Sequence, residues 1–399
     1  MKLYRKIRNE LARHVLNYRG WRTDRKLIVF ESDDWGSIRM PSREAYQSLL
    51  QAGVDVNNSA YCRNDSLASE EDLEMLFELL LSVKDKNRRN PVFTANAVLT
   101  NPDFDKIRRD GFDSYHCENF TETLKRYPGH QNSFSLWKQG MEAGIFHPQF
   151  HGKEHLNVAF WLKLLRENWN DFQLAFDNEC WGLSGDVYPE MGRSVQATFD
   201  FSEDEEIGQH HENIASGLDL FEEIFGYRSL SFIANNFIWS EELNQTLANC
   251  GVRYLQGMKY QLLPVKEGGK RELIRHHVGE KNSFGQLYLI RNAVFEPSLR
   301  KDSYDNVGSC MKGIKTAFQW KKPAIISTHR LNYIGFIDPD NRKRGLTQLK
   351  QLMHEILREW PDAEFVTSDE LGQLIETGAI KKKPIVKTSE KEDLKSTVL

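Results

Sequence analysis

Eight short runs of apolar and β-branched residues recur along this 399-residue chain, at 27–30, 92–99, 145–150, 230–234, 252–255, 287–290, 324–327 and 364–367. Helix-period segments separate several of them, at 69–84, 158–169, 204–225, 241–250 and 346–360, the first behind a Ser69-Glu70-Glu71-Asp72 cap. Such alternation demands a parallel sheet with crossover helices. Seven or eight strands then argue for closure, so the predicted fold class is α/β, a (β/α) barrel. Chemistry in such barrels gathers at the C-terminal ends of the strands.

Charged residues sit at those ends. The first run leads into Glu31-Ser32-Asp33-Asp34-Trp35-Gly36, where Gly36 marks a turn. Adjacent carboxylates repel unless positive charge lies beside them. The pair is therefore either a solvated turn, or a metal ligand next to a base. Downstream, Phe146-His-Pro-Gln-Phe-His-Gly-Lys-Glu-His155 sets His151 and His155 four residues apart. That spacing brings two imidazoles together on one side of a helix or one face of a strand. Two histidines and a carboxylate would leave coordination sites open on a divalent ion, most simply Zn²⁺. His147 competes for either ligand role. The zinc-protease pattern HEXXH is excluded, since Gly152 follows His151. His329 ends another apolar run.

A formal net charge of −4 gives no support for a nucleic-acid partner. Five scattered cysteines without a C-x-x-C pair read as reduced thiols. Residues 1–25 form a separate N-terminal unit in which Leu3, Ile7, Leu11 and Val15 recur among basic residues. This amphipathic helix could rest on an anionic membrane surface through residues 1–18, or pack on the domain or a partner. No stretch reads as a signal peptide or a transmembrane span, which predicts a cytoplasmic protein. Residues 26–376 form the barrel, with 178–201 as a loop at its rim. Residues 377–399 are expected to be disordered. The pairs His210-His211 and His276-His277 read as surface residues.

Set in order, these motifs resemble the polysaccharide deacetylases, the NodB-homology carbohydrate esterases. Ser32-Asp-Asp-Trp-Gly36 is similar to their T-F-D-D-G, His151-Gly-Lys-Glu-His155 to their H-[ST]-x-x-H, and Ile326-Ser-Thr-His329 to their late L-x-H. The resemblance spans roughly residues 26–376 and implies an irregular (β/α) barrel of about seven strands. It also implies that Asp33 is the general base, that Asp34, His151 and His155 bind the metal, and that His329 is the general acid. Where the family carries R-x-x-P-Y, this chain has Ile233 and Asn235 in place of arginine and proline. Arg291, a lone charge ending an apolar strand, is the candidate to steady Asp33; its other reading is an ion pair with Glu296 or another acid. Gly152 replaces the family's Ser/Thr.

Trp35, Trp181, Phe237 and Trp239 could stack on sugar rings, or fill core. Asn235, Asn236 and Asn332 could bond sugar hydroxyls, or shape turns. The expected function is metal-dependent removal of an acetyl group from an N-acetylated sugar or glycan intermediate. Hydrolysis of another amide or ester, and a catalytically weak carbohydrate-binding or scaffold role, are the alternatives. Substrate residues expected from sequence are Trp35, Asn235, Asn236 and Trp239.

Overall fold

The computed structural model describes residues 2–183, 188, 191–203, 206–265 and 269–379, and the expected C-terminal tail falls almost wholly outside them. Nine parallel strands make the main sheet: β1 (Leu27–Trp35), β2 (Phe93–Ala97), β3 (Phe146–Phe150), β4 (Ser231–Phe232), β5 (Tyr254–Gly257), β6 (Leu287–Ile290), β7 (Ala293–Val294), β8 (Ala324–His329) and β9 (Glu364–Phe365). Their order is β6-β5-β4-β3-β2-β1-β8-β7, with β9 set against the start of β1 at Leu27 and Ile28.

The sheet curls on itself. β6 and β7 occupy its opposite edges, yet only Arg291 and Asn292 separate them in sequence. Three chain steps span at most about 11 Å, so the two edges must lie side by side. The backbone bonds show the crossing: Arg291 N–H donates to Gly257 O on one side and Asn292 N–H to Ile325 O on the other. Counting residues 287–294 as one bent strand gives seven strands around the circuit. The irregularity is the stagger of that strand, which pairs first with β5 and then with β8.

β1 is buried along its whole length, as expected of a strand covered on both faces. Leu27, Ile28, Val29 and Phe30 are fully excluded from solvent. The helix Glu70–Leu81 begins with a capping box, Ser69 and Asp72 each bonding the other's backbone N–H. Helices Ser133–Glu142 and Asn306–Gln319 escaped the periodicity reading. The second buries Gly313 and Thr316 among its apolar positions, which blurs the pattern.

The N-terminal helix Lys2–Asn17 docks at its C-terminal end. His14 Nδ1 accepts from Trp320 Nε1, and Asn17 Oδ1 accepts from Asn292 Nδ2. Ile7, Leu11 and Val15 face outward, 51%, 60% and 45% exposed. Among the described residues no helix is long and apolar enough to cross a membrane. Two histidines expected on the surface are in fact buried: His210 between Phe199 and Phe201, and His276 stacked on Tyr288. Both belong to pairs in which only one ring turns inward, which dipeptide composition does not reveal.

Candidate active site

β1 delivers two carboxylates to one place by breaking its own alternation. Asp34 has φ +74°, left-handed for a non-glycine residue, and the pairing of β1 with β2 shifts register between Ser32 and Trp35. A regular strand would turn Asp33 and Asp34 to opposite faces. Here both line one cavity of about 360 Å³, together with His151, His155 and His329. The same twist sends Trp35 into the core, where it packs on Trp137 and Phe146 and donates to Ser32 Oγ.

Asp33 is firmly held, with one acceptor position left on Oδ2. Arg291 Nη1 and Nη2 each donate to one of its oxygens at 2.6 Å, and Asn96 Nδ2 donates to Oδ1 at 2.7 Å. Arg291 Nε reaches Glu31 at 2.6 Å. Burial by itself would raise the Asp33 pKa, but Arg291, helped by His151 and His329, brings it below the ordinary carboxylate value. Asp33 is thus an ionised acceptor held in one orientation. Arg291 does not pair with Glu296.

Asp34 meets the two histidines. Its Oδ1 lies 3.3 Å from His151 Nε2 and 3.1 Å from His155 Nε2. Neither residue sits on a helix or strand; the loop 151–157 carries both rings between β3 and the helix Val158–Arg166. His151 Nδ1 donates to Ile233 O at 2.9 Å. In the neutral ring this leaves the Nε2 lone pair aimed at a carboxylate oxygen, two acceptors facing each other. A cation between them removes that conflict. Ligand atoms about 2.0 Å from a tetrahedral zinc ion lie about 3.3 Å apart, close to the separations seen here. The three residues therefore fit a divalent ion, and among the described residues they form the one such cluster of three.

The loop needs Gly152. Its φ is +101°, and a Cβ there would stand 2.9 Å from Glu154 O and 3.2 Å from Asn235 Oδ1. A side chain at 152 would force Glu154 O to shift. Asn235 is fully buried and donates from Nδ2 to His151 O, bracing the loop rather than facing the cavity. Asn236 and Phe237 do line it. Trp239 is buried and bonds Asn244, and Trp181 lies behind His155. His147 is remote from the cluster: it bonds Asp369 and stacks on Tyr227.

His329 stands across the cavity, its Nε2 3.7 Å from Asp33 Oδ2. Its Nδ1 bonds Glu296 Oε1 at 2.7 Å, and Glu296 is held in turn by Asn332 Nδ2. Burial would lower the His329 pKa, but the Glu296 carboxylate, with Asp34 and Asp33, raises it to about 9. Asn332 is thus a brace within the wall. Sequence reasoning missed the role of Glu296 and four further wall residues, Arg39, Tyr61, Ser194 and Gln196. Ser194 and Gln196 come from the segment 178–201, so the described part of that loop does border the cavity. Buried Arg39 lies 3.4 Å from Asp34 and stacks on Tyr61. A basic residue soon after Asp-Asp was the available signal.

No protein-family model matches the chain, and no curated protein sequence does. Solved structures similar to it include a protein assigned as a polysaccharide deacetylase from Mycobacterium smegmatis, at 10% identity and TM-score 0.43, covering 92% of this chain and 96% of that one. A family 4 acetyl xylan esterase from Clostridium thermocellum, solved with a cobalt ion, matches at 11% identity and TM-score 0.34, over 89% and 93% of the two chains. Puue allantoinase matches at 11% identity and TM-score 0.41, over 90% and 93%. Likeness this distant leaves the reading of the site to its own residues.

Proposed function

We propose that this chain is a metal-dependent deacetylase that hydrolyses the acetamide of an N-acetylated sugar or glycan intermediate. The observation that carries the reading is the division of labour between adjacent aspartates: Asp34 converges with His151 and His155, while Asp33 is turned to Arg291 and His329. Asp34, His151 and His155 would hold the ion, with Zn²⁺ the first choice for a His₂Asp set. When bound, the ion supplies Lewis-acid polarisation of the acetyl carbonyl and lowers the pKa of water.

The remaining work belongs to the chain. Asp33, kept ionised by Arg291, accepts a proton from the attacking water. His329, kept protonated near neutral pH by Glu296, delivers a proton to the departing nitrogen. An unprotonated amine is a very poor leaving group, so this transfer governs collapse of the tetrahedral intermediate. Asn236 and Phe237 offer polar and aromatic contact to a sugar at the mouth.

The setting we propose is a cytoplasmic enzyme that meets an anionic membrane surface through residues 1–18. The exposed Ile7, Leu11 and Val15 stripe supports this, as do five Lys/Arg against one Asp/Glu in residues 1–18 of a net acidic chain. The enzymatic reading is tested by assaying acetate release from a panel of N-acetylated sugars with zinc-loaded protein. Release that disappears in His329→Gln supports it, and intact turnover in that variant rules out the acid assigned here.

A further inference from the structure

A second, larger cavity of about 610 Å³ lies beside the catalytic one and carries five cations: Arg43, Arg63, Arg300, Lys301 and Arg344. Only two carboxylates line it, and both are committed. Asp302 pairs with Arg344 at 3.2 Å, and Asp338 caps the helix Pro339–Glu359 by accepting from the Asp340 N–H. Among the described residues Arg43, Arg63, Arg300 and Lys301 form no ion pair. Arg43 Nε donates to Ile337 O at 2.9 Å, and Arg63 Nη1 donates to Asn57 O. Neutral carbonyls fix these two guanidiniums in place without cancelling their charge. A concave surface of net positive charge, on a chain whose net charge is −4, is electrostatically suited to an anion. Forked guanidiniums match the paired oxygens of carboxylates and phosphates alike, and these four cations without an ion pair favour the more highly charged phosphate.

The position of this cavity ties it to the reaction. Its walls come from the segments that follow β1, β7 and β8, so it opens on the face where those strands end. The short helix Ala60–Asn64 is shared: Tyr61 lines the catalytic cavity, while Arg63 and Asn64 line the basic one. On the other wall, Glu296 holds His329 and Ser298 borders the basic cavity. The two cavities therefore share walls, the helix Ala60–Asn64 on one side and the segment 296–298 on the other. A sugar ring joined to a diphosphate would have to reach across no more than one helix, on the order of 10 Å.

We propose that this cavity is a phosphate-binding subsite, and that the substrate is a glycosyl phosphate or diphosphate whose acetamide reaches the catalytic cavity. The identity of the substrate rests on the deacetylase reading; the anion site stands without it.

Two measurements on the full chain separate these claims. Calorimetry with inorganic pyrophosphate, on chelator-treated protein at low salt, isolates the subsite from any metal. Wild type is expected to bind, and Arg300→Gln/Lys301→Gln to bind at least tenfold more weakly, with equal thermal melting. These exposed residues can be changed without opening the core. Absence of wild-type binding, or equal binding by the variant, overturns the proposal. Acetate release is then compared among a nucleoside diphosphate-linked N-acetylhexosamine, a polyprenyl diphosphate-linked one, and neutral chitotetraose. The variant is expected to raise KM at least tenfold for whichever phosphorylated substrate is used, with kcat and chitotetraose turnover unchanged. An equal loss on chitotetraose overturns the substrate assignment. Pyrophosphate binding that depends on Arg300 and Lys301, with no acetate from any substrate, upholds the anion site and discards the deacetylase.

Discussion

Asp33 and Asp34 are chain neighbours with opposite partners, and that contrast sets the residue-scale expectations. Arg291 is fully buried between Glu31 and Asp33. Replacing it by Met strands two carboxylates, so a loss of about 3–5 kcal/mol is expected in denaturant unfolding. His329 owes its raised pKa of about 9 to Glu296. A group raised on folding loses its protonated form only as pH climbs through the raised value, so the wild-type acid should persist through neutrality. In Glu296→Gln the acid falls back toward its ordinary 6.5, which leaves kcat near wild type at pH 6 but roughly 30-fold lower at pH 8. A pH–rate profile with an unmoved alkaline limb would refute that coupling. Sequence motifs exposed Asp33, Asp34, His151, His155 and His329 because polar residues at strand ends stand out. Trp35 was misplaced because period-two alternation sets it beside Asp33. The left-handed Asp34 cancels that parity, and no local composition announces it.

At the scale of elements, two loops and one helix hold the geometry. The 151–157 loop turns at Gly152, where the Cβ of a serine would clash with Glu154 O. Gly152→Ser is expected to destabilise by about 1–2 kcal/mol and to weaken metal retention; calorimetric titration with Zn²⁺ checks this. Helix Pro339–Glu359 approaches the segment Arg330–Asn332 so closely at Gly345 that a Cβ would fall 1.6 Å from Asn332 O. Gly345→Ala must push the two apart, and Asn332 is the residue that holds Glu296. Lower kcat with little change in KM is therefore expected. Both His151 and His155 were found from their spacing, but the helix or strand assumed for them was not. Four residues of separation fit a loop equally well once a glycine adopts positive φ. At the N-terminal helix, Leu11→Glu is expected to abolish sedimentation with vesicles containing phosphatidylglycerol, and undiminished binding would contradict a role for the exposed stripe.

For the whole molecule, closure was legible in the number and alternation of the strands, since each apolar run found its place in one sheet. The route of closure was not. It depends on residues 287–294 leaving β5 for β8, and no sequence pattern marks where a strand changes partner. That crossing is also what brings Arg291 to Asp33 from a strand remote in sequence. Barrel closure and the electrostatic setting of Asp33, the proposed base, are thus one event. The most direct test is metal stoichiometry and acetate release measured together on Asp33→Asn and Asp34→Asn. The expected result is one ion per chain with turnover lost by 10²-fold or more in the first, and no bound ion in the second. Equal metal content in the two variants, or a fully loaded wild type that releases no acetate from any acetylated sugar, would contradict it.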